Sequence, residues 1–553
     1  MLRKQVAKGN PFRTAKIAAI VLPLLCLALP SVWLMMNVSP LWRDVDAYVQ
    51  LTYPPGQSTI LLHGPLYCEL ARVPLWMGHR ATGGAMHLGA FMKRPRLTNA
   101  RIAMLLLVQH LGFCLSAFYL ISALATSLTV RLILAAFIAS HSMFYAFAHC
   151  LGSETLSMIT ILLLVGLGIR MLASFPNVKV RSWSLLGLLL VCSILTRHIN
   201  AVLAGLFPLA FVLSAIAQHW SVPRKRSDGN SVAPRFREQA RACGISVAVG
   251  VAALLLASGY THLLCRKAHI NARSEFGVTF VWRLDFLTAM PVSARASLLE
   301  KIADRVHLAD SRKFLAVLQT WVDHHSSWDP FQFLAAVRTS LGAEDSKAWH
   351  EHFDRVLNDV AAAFLSPPVS PLPAIAFDDF ARATSLTEGD MAGYLFSSTD
   401  YVNTHRDHVP QVAGLITFRN PIEQVMKFQG ATYFHLWNFL SFRGWCIVWS
   451  GAVALLCLMG RGAPQLIRRV ISYAAVLCAV GLLMTLANFF FAQIMPRFAL
   501  PMFELLLLSL TILLGTLLSA GVEIRKPADP RPTGWGRSRA VDGNEDEFAI
   551  AEP

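Results

Sequence analysis

Ile17-Ala18-Ala19-Ile20-Val21-Leu22-Pro23-Leu24-Leu25-Cys26-Leu27-Ala28-Leu29-Pro30-Ser31-Val32-Trp33-Leu34-Met35-Met36 carries no charge, and Trp42-Arg43-Asp44-Val45-Asp46-Ala47-Tyr48 follows shortly after it. Twenty helical residues reach about 30 Å, the thickness of bilayer hydrocarbon. The run therefore reads as a membrane span, and the two carboxylates as groups held at a bilayer surface. The basic stretch Met1 to Lys16 ahead of it would also suit a signal peptide. No small-residue cleavage site follows Met36, so an uncleaved first span is expected.

The rest of the chain agrees with that beginning. Of 553 residues, 55% are hydrophobic and only 15% charged, whereas soluble domains carry about 25% charged residues. The net charge of +16 does not imply nucleic acid, because basic residues of membrane proteins gather in cytoplasmic loops. The ten cysteines are scattered, mostly in apolar runs, with no metal-ligand spacing. Neither a disulfide framework nor a zinc site is expected.

Ten spans are predicted, at 16–36, 102–124, 132–150, 155–172, 182–197, 199–218, 244–264, 444–460, 470–491 and 499–520. The pair 182–197 and 199–218 is separated by little more than Arg197 and His198. Charge decides that it is a pair. With the N-terminus inside, Arg131, Arg170, Lys179, Arg181, the basic run from Arg224 to Arg241, Arg461, Arg468 and Arg469 all fall on the inner side. Merging 182–218, or making 60–77 a full span, would put many of them outside, against the positive-inside rule. The expected fold is an all-α polytopic membrane protein with about ten transmembrane helices and a mostly helical external insert between helices seven and eight.

Four regions follow: a seven-span module 1–264 that includes the external loop 37–101, an external insert 265–443, a three-span module 444–522, and a disordered cytoplasmic tail 523–553. Residues 60–77 are apolar but broken by His63, Pro65, Glu69, Arg72 and Pro74, a pattern for a helix lying in the interface. Pro367, Pro368, Pro371 and Pro373 divide the insert in two. Asp400, His405, Asp407 and His408 offer metal-ligand residue types, but a polar loop near an acceptor groove is the preferred reading, and the same caution holds for His324-His325. No Gly-rich nucleotide loop is present, so a sugar-nucleotide donor is not expected.

The polar residues left at span boundaries share one predicted side. Asp44 and Asp46 follow the first span, and His63-Gly64-Pro65-Leu66-Tyr67 comes next. Glu154 opens the fourth span, Arg197 and His198 close the fifth, and Arg497 precedes the tenth. A boundary charge alone is an ordinary interfacial anchor, but several on one side suggest a site. Residues two apart on a helix diverge by about 200°, while in an extended strand they share a face. Which aspartate would act as a base is left open. Lys93, Arg94, Arg96 and Arg101 suit lipid phosphates or, equally, anionic head groups.

The order of these motifs — acidic pair, Pro-Leu-Tyr, Ser-Glu opening a span, Thr-Arg closing a later one, Arg-Phe-x-x-Pro before the last — resembles the GT-C class of integral-membrane glycosyltransferases. It is most similar to the bacterial relatives of protein O-mannosyltransferases and lipid A aminoarabinose transferases. The similarity covers 1–220 and, more loosely, 444–520, while 265–443 matches no part of it. Val45 separates the acidic residues that such families often carry side by side. The resemblance implies a sugar moved, with inversion at its anomeric carbon, from a polyprenyl-phosphate donor to a hydroxyl of a glycan, lipid or protein acceptor on the outer face of a bacterial inner membrane, and the charge distribution puts both termini in the cytoplasm. It implies Asp44 or Asp46 as general base and Arg197 and Arg497 as partners of the lipid phosphate. His63, Tyr67, Glu154 and His198 would line the substrate. No cofactor is expected, although a divalent metal could sit beside two carboxylates. The competing readings are a lipid or polysaccharide transporter or flippase, which would carry more charge in mid-span and more symmetric halves, and a non-catalytic membrane scaffold.

Overall fold

The computed structural model describes residues 11–43, 51–52, 64–93, 95–221, 232–267, 274–344, 346–366, 370–404, 432–459, 465–491 and 495–524. The chain is an all-α polytopic membrane protein. Among the described residues, eight helices are long and apolar enough to cross a bilayer: Ile17–Asn37, Asn99–Leu124, Glu154–Ser174, His198–Ile216, Arg237–Lys267, Phe442–Met459, Leu466–Phe490 and Pro496–Ser519. The two other expected spans take different forms. Val180–Thr196 has 17 residues, roughly 25 Å of helix. The segment expected as one helix over 132–150 is instead two helices, Leu128–Ser140 and Ser142–Ala148, bent by 68°.

The break has a local cause. His141 is extended, with φ −87° and ψ 97°, and its Nδ1 bonds the Glu388 carboxylate. The second Glu388 oxygen accepts from the Met143 N–H at 3.4 Å, so one distant carboxylate supplies a partner that the interrupted helix lacks. The Trp437 ring stacks on the imidazole at 5.3 Å, and Trp445 and Phe137 close around it. Apolar periodicity is blind to such a long-range pair, and Ser140-His141-Ser142 reads as a tolerable polar step within a span.

Residues 65–81 form the helices Pro65–Leu70 and Arg72–Ala81, neither long enough to cross a bilayer. Within 274–365, six helices surround their own core of Phe280, Leu287, Ile302, Phe314, Val356 and Phe364. Asp329 and Ser346 cap two of them by accepting from backbone N–H groups. After the proline-rich break, the chain turns back. Ala383, Met391, Leu395 and Phe396, from helices Leu372–Ala383 and Glu388–Thr404, bury themselves in the main membrane core. Among the described residues the only strands are β1 (Leu41–Trp42) and β2 (Cys150–Leu151), paired in parallel with Leu41 opposite Cys150.

Candidate functional site

The site begins where the first helix ends. After Asn37 the chain becomes extended, and the N–H groups of Leu41 and Arg43 donate to the carbonyls of His149 and Leu151 at 3.2 and 3.4 Å. Two buried imidazoles hold this junction from behind. His149 Nε2 lies 3.0 Å from the Val38 carbonyl, which can only accept, so that nitrogen carries the proton. With both rings neutral, His149 Nδ1 then accepts from His110 Nε2 at 3.0 Å, and His110 Nδ1 from the Ser31 hydroxyl at 3.0 Å. The first span is thereby tied to the segment that precedes Glu154.

Arg43 and Glu154 meet at the end of this short ladder. Both are about 1% exposed. Glu154 Oε1 lies 3.8 Å from Arg43 Nη1 and 3.6 Å from Arg197 Nη1, so one carboxylate stands between two guanidiniums. Arg43 Nη1 also reaches the Ser153 hydroxyl at 3.5 Å. Gly152 is a close-approach glycine. A Cβ there would lie 2.6 Å from Glu154 Oε2 and 3.1 Å from Arg43 Cβ, so a side chain would push the ion pair apart.

Arg197 is placed by a helix end. Val180–Thr196 stops at Thr196, Arg197 is extended with φ −148°, and a 3-10 helix His198–Gly205 begins. Asn200 fixes that turn, its side-chain amide donating to the Ser193 carbonyl at 3.1 Å and the Ser157 hydroxyl at 2.8 Å. Gly64 packs directly against the same helix end. It has φ +84°, and a Cβ would stand 2.4 Å from the Leu195 carbonyl oxygen and 2.6 Å from that of Thr196. Only glycine fits. Pro65 then starts the helix that carries Tyr67.

The Tyr67 hydroxyl accepts from the Gly152 N–H at 3.1 Å and donates to Gln109 Oε1 at 3.3 Å. The Gln109 amide in turn donates to the carbonyls of Ala148 and Cys150. Burial pushes the Tyr67 phenol well up, so it acts as a fixed hydrogen-bonding post rather than an acid. Arg497 and Glu504 project from helix Pro496–Ile524, seven residues or two turns apart, and both act on Arg197 through space. Glu504 is 3% exposed, and its Oε1 has no hydrogen-bond partner among the described residues.

The structure thus brings together Tyr67, Glu154 and Arg197, with Arg497 in electrostatic reach, and leaves His198 half-buried at the start of the 3-10 helix. Asp44, Asp46 and His63 lie outside the described residues, as do Arg94, His405, Asp407 and His408. Sequence reasoning missed Arg43 and Gln109. Arg43 stands beside the acidic pair and could have been chosen on that ground. Gln109 lies inside an apolar span, where an amide needs a partner, and that was its one signal.

The described members of the cluster are three guanidiniums against two carboxyls. Such a set can receive an anion, and guanidinium suits phosphate by bidentate hydrogen bonding. Among the described residues no group of three or more His, Cys, Asp or Glu is placed to hold a metal ion.

No protein-family model matches the chain, and no curated protein matches it significantly. Among solved structures it is similar to the archaeal oligosaccharyltransferase AglB from Archaeoglobus fulgidus, solved in complex with an inhibitory peptide and a dolichol-phosphate. The TM-score is 0.37 at 12% identity, over 91% of this chain and 50% of that one, so the chain spans about half the archaeal protein's length. At that distance the likeness carries no functional argument.

Proposed function

We propose that this protein is a membrane glycosyltransferase that moves a sugar from a polyprenyl-phosphate-linked donor to an acceptor hydroxyl at a bilayer surface. One observation carries the reading: Arg43 and Arg197, 154 residues apart in sequence, converge on Glu154 at the start of an apolar helix. Charges are expensive near membrane depth and are retained for function. One of them, Arg43, stands next in sequence to Asp44.

Arg43, Arg197 and Arg497 would hold the lipid phosphate and take up the negative charge that grows on it as the glycosidic bond breaks. Glu154 would orient the first two. Asp44 or Asp46 would remove the proton from the attacking hydroxyl. One displacement at the anomeric carbon inverts its configuration and needs no covalent intermediate, and the leaving phosphate stays on its lipid. The side of attack would be the outer face of a bacterial inner membrane, with both termini in the cytoplasm, and the acceptor a glycan, lipid or protein.

The test uses the full chain in lipid nanodiscs with a polyprenyl-phosphate sugar donor. Asp44→Asn and Asp46→Asn should differ, one of them losing turnover by at least about 100-fold, the usual worth of a general base, at normal expression. Arg497→Lys should weaken donor use, since an ammonium cannot reproduce the planar fork. Full activity in both aspartate variants would remove the base, and with it the reaction. Mass spectrometry of envelope glycans and lipids from a deletion strain would name the sugar and acceptor.

A further inference from the structure

The external insert has no role in the proposal above, yet one of its helices touches the site's backbone. Helix Glu388–Thr404 buries Glu388, Met391, Ala392, Leu395, Thr399 and Val402, the i, i+3, i+4, i+7 stripe of a docked helix. Its N-terminal end is anchored on the break at His141 through Glu388. Between about 9 and 16 Å further along, at 1.5 Å per residue, three hydroxyls meet the segment of β1 and Arg43. Thr399 Oγ1 accepts from the Trp42 N–H at 2.8 Å and donates to its own helix at the Leu395 carbonyl. The Ser398 hydroxyl and, at 3.3 Å, the Tyr394 hydroxyl both donate to the Arg43 carbonyl. Residues 394 and 398 are four apart, one turn of helix, so both reach the same oxygen.

A two-residue strand cannot hold its own register. β1 has β2 along one edge, and the Trp42 N–H and Arg43 carbonyl need partners elsewhere. The insert supplies them. Arg43 is then fixed at its N–H by Leu151, at its carbonyl by Tyr394 and Ser398, and at its guanidinium by Glu154 and Ser153.

We infer that Tyr394 and Ser398 are positioning residues, through which the external insert aims the Arg43 guanidinium at the anionic group of the lipid ligand. This rests on the reading of Arg43 as a phosphate partner. The juxtaposition also gives the insert a reason to fold back across the proline-rich break. A domain that only recruited a partner would have no use for two hydroxyls on a backbone carbonyl of the membrane module.

The probe is farnesyl phosphate, with farnesol as the uncharged control, binding to the full chain in nanodiscs. Wild type should prefer the phosphate, and Arg43→Lys should reduce that preference. The double variant Tyr394→Phe with Ser398→Ala should weaken phosphate binding about tenfold, two modest hydrogen bonds' worth, leave farnesol binding unchanged, and recover with Ser398→Thr. In the Arg43→Lys background the same pair of changes should have little further effect, because it acts through that side chain. If wild type does not distinguish phosphate from alcohol, the phosphate reading itself fails. If it does, and the hydroxyl variant either equals wild type or weakens binding equally in both Arg43 backgrounds, the positioning role alone is overturned. Thermal melting of each variant separates unfolded samples from weakened ones.

Discussion

Replacing Glu154 by Gln tests the centre of the site. The substitution keeps shape and removes a charge that lies 3.6 Å from Arg197 and 3.8 Å from Arg43. At an effective dielectric of about 20, each contact carries a Coulomb energy of about 4–5 kcal/mol. Desolvation offsets most of that, so the intact cluster adds little net stability. Breaking it is another matter. Two guanidiniums would face one another across a neutral amide, and removing one partner of a buried pair costs about 3–5 kcal/mol. Thermal melting of the detergent-purified protein should therefore show Glu154→Gln and Arg197→Gln each well below wild type. The double variant should sit above the sum of the two losses, because it removes the repelling pair as well as the attracting one. That non-additivity, at least about 1 kcal/mol for groups in contact, is the signature. Strict additivity, or a Glu154→Gln protein that melts with wild type, would refute the view that Glu154 neutralises two arginines.

Two further outcomes follow from single residues. Gly64→Ala should lower the melting temperature by the equivalent of about 2 kcal/mol or more, because a positive φ costs an L-residue about 1–3 kcal/mol and its Cβ would strike the Leu195 and Thr196 carbonyls. An unchanged melt would mean that the 64–67 turn is not packed as described. In the insert, burial chiefly, with Asp379 adding to it and Arg283 opposing, pushes the Asp285 carboxyl up to about 6. The folded form then holds a proton that the unfolded form has released between about pH 4 and 6, so stability falls as pH rises through that window, by at most about 3 kcal/mol. Asp285→Asn should flatten this part of the stability–pH curve, and a curve that keeps its slope would show that other groups set it.

Helix-forming segments were legible because long apolar runs at bilayer length leave few alternatives. The boundary charges Glu154, Arg197 and Arg497 were legible for the same reason, since a charge at the end of an apolar run stands out. Arg43 is not legible, because the segment Trp42 to Tyr48 offers the two aspartates as the more reactive groups and nothing local says that the arginine turns inward. The bend at His141 was hidden because its cause, Glu388, lies 247 residues away. Tyr394 and Ser398 read as ordinary polar residues on a helix, and only the fold reveals that they address a backbone carbonyl of the first loop. What sequence withholds here is partner identity across long separations; what it yields is the local cost of placing a charge.

That local cost also bears on which arginine meets the ligand. Glu154 opens helix Glu154–Ser174, so its negative charge faces the positive end of the helix dipole. Arg197 directly follows Val180–Thr196, so its positive charge faces a negative end. Each placement is favourable by about 0.3–1 kcal/mol. Arg497 has the opposite relation to its helix, being the second residue of Pro496–Ile524. There its cation adds to a positive helix end, and the same energy counts against it. An anchoring arginine would gain by standing at another helix end. An anion placed at the start of Pro496–Ile524 would offset the cost, because a negative charge is favoured by both the helix end and the guanidinium. Glu154 and Arg197 are thus each favoured by their own helix end, whereas Arg497 is not, and it is at Arg497 that donor use should be most sensitive to the change from guanidinium to ammonium.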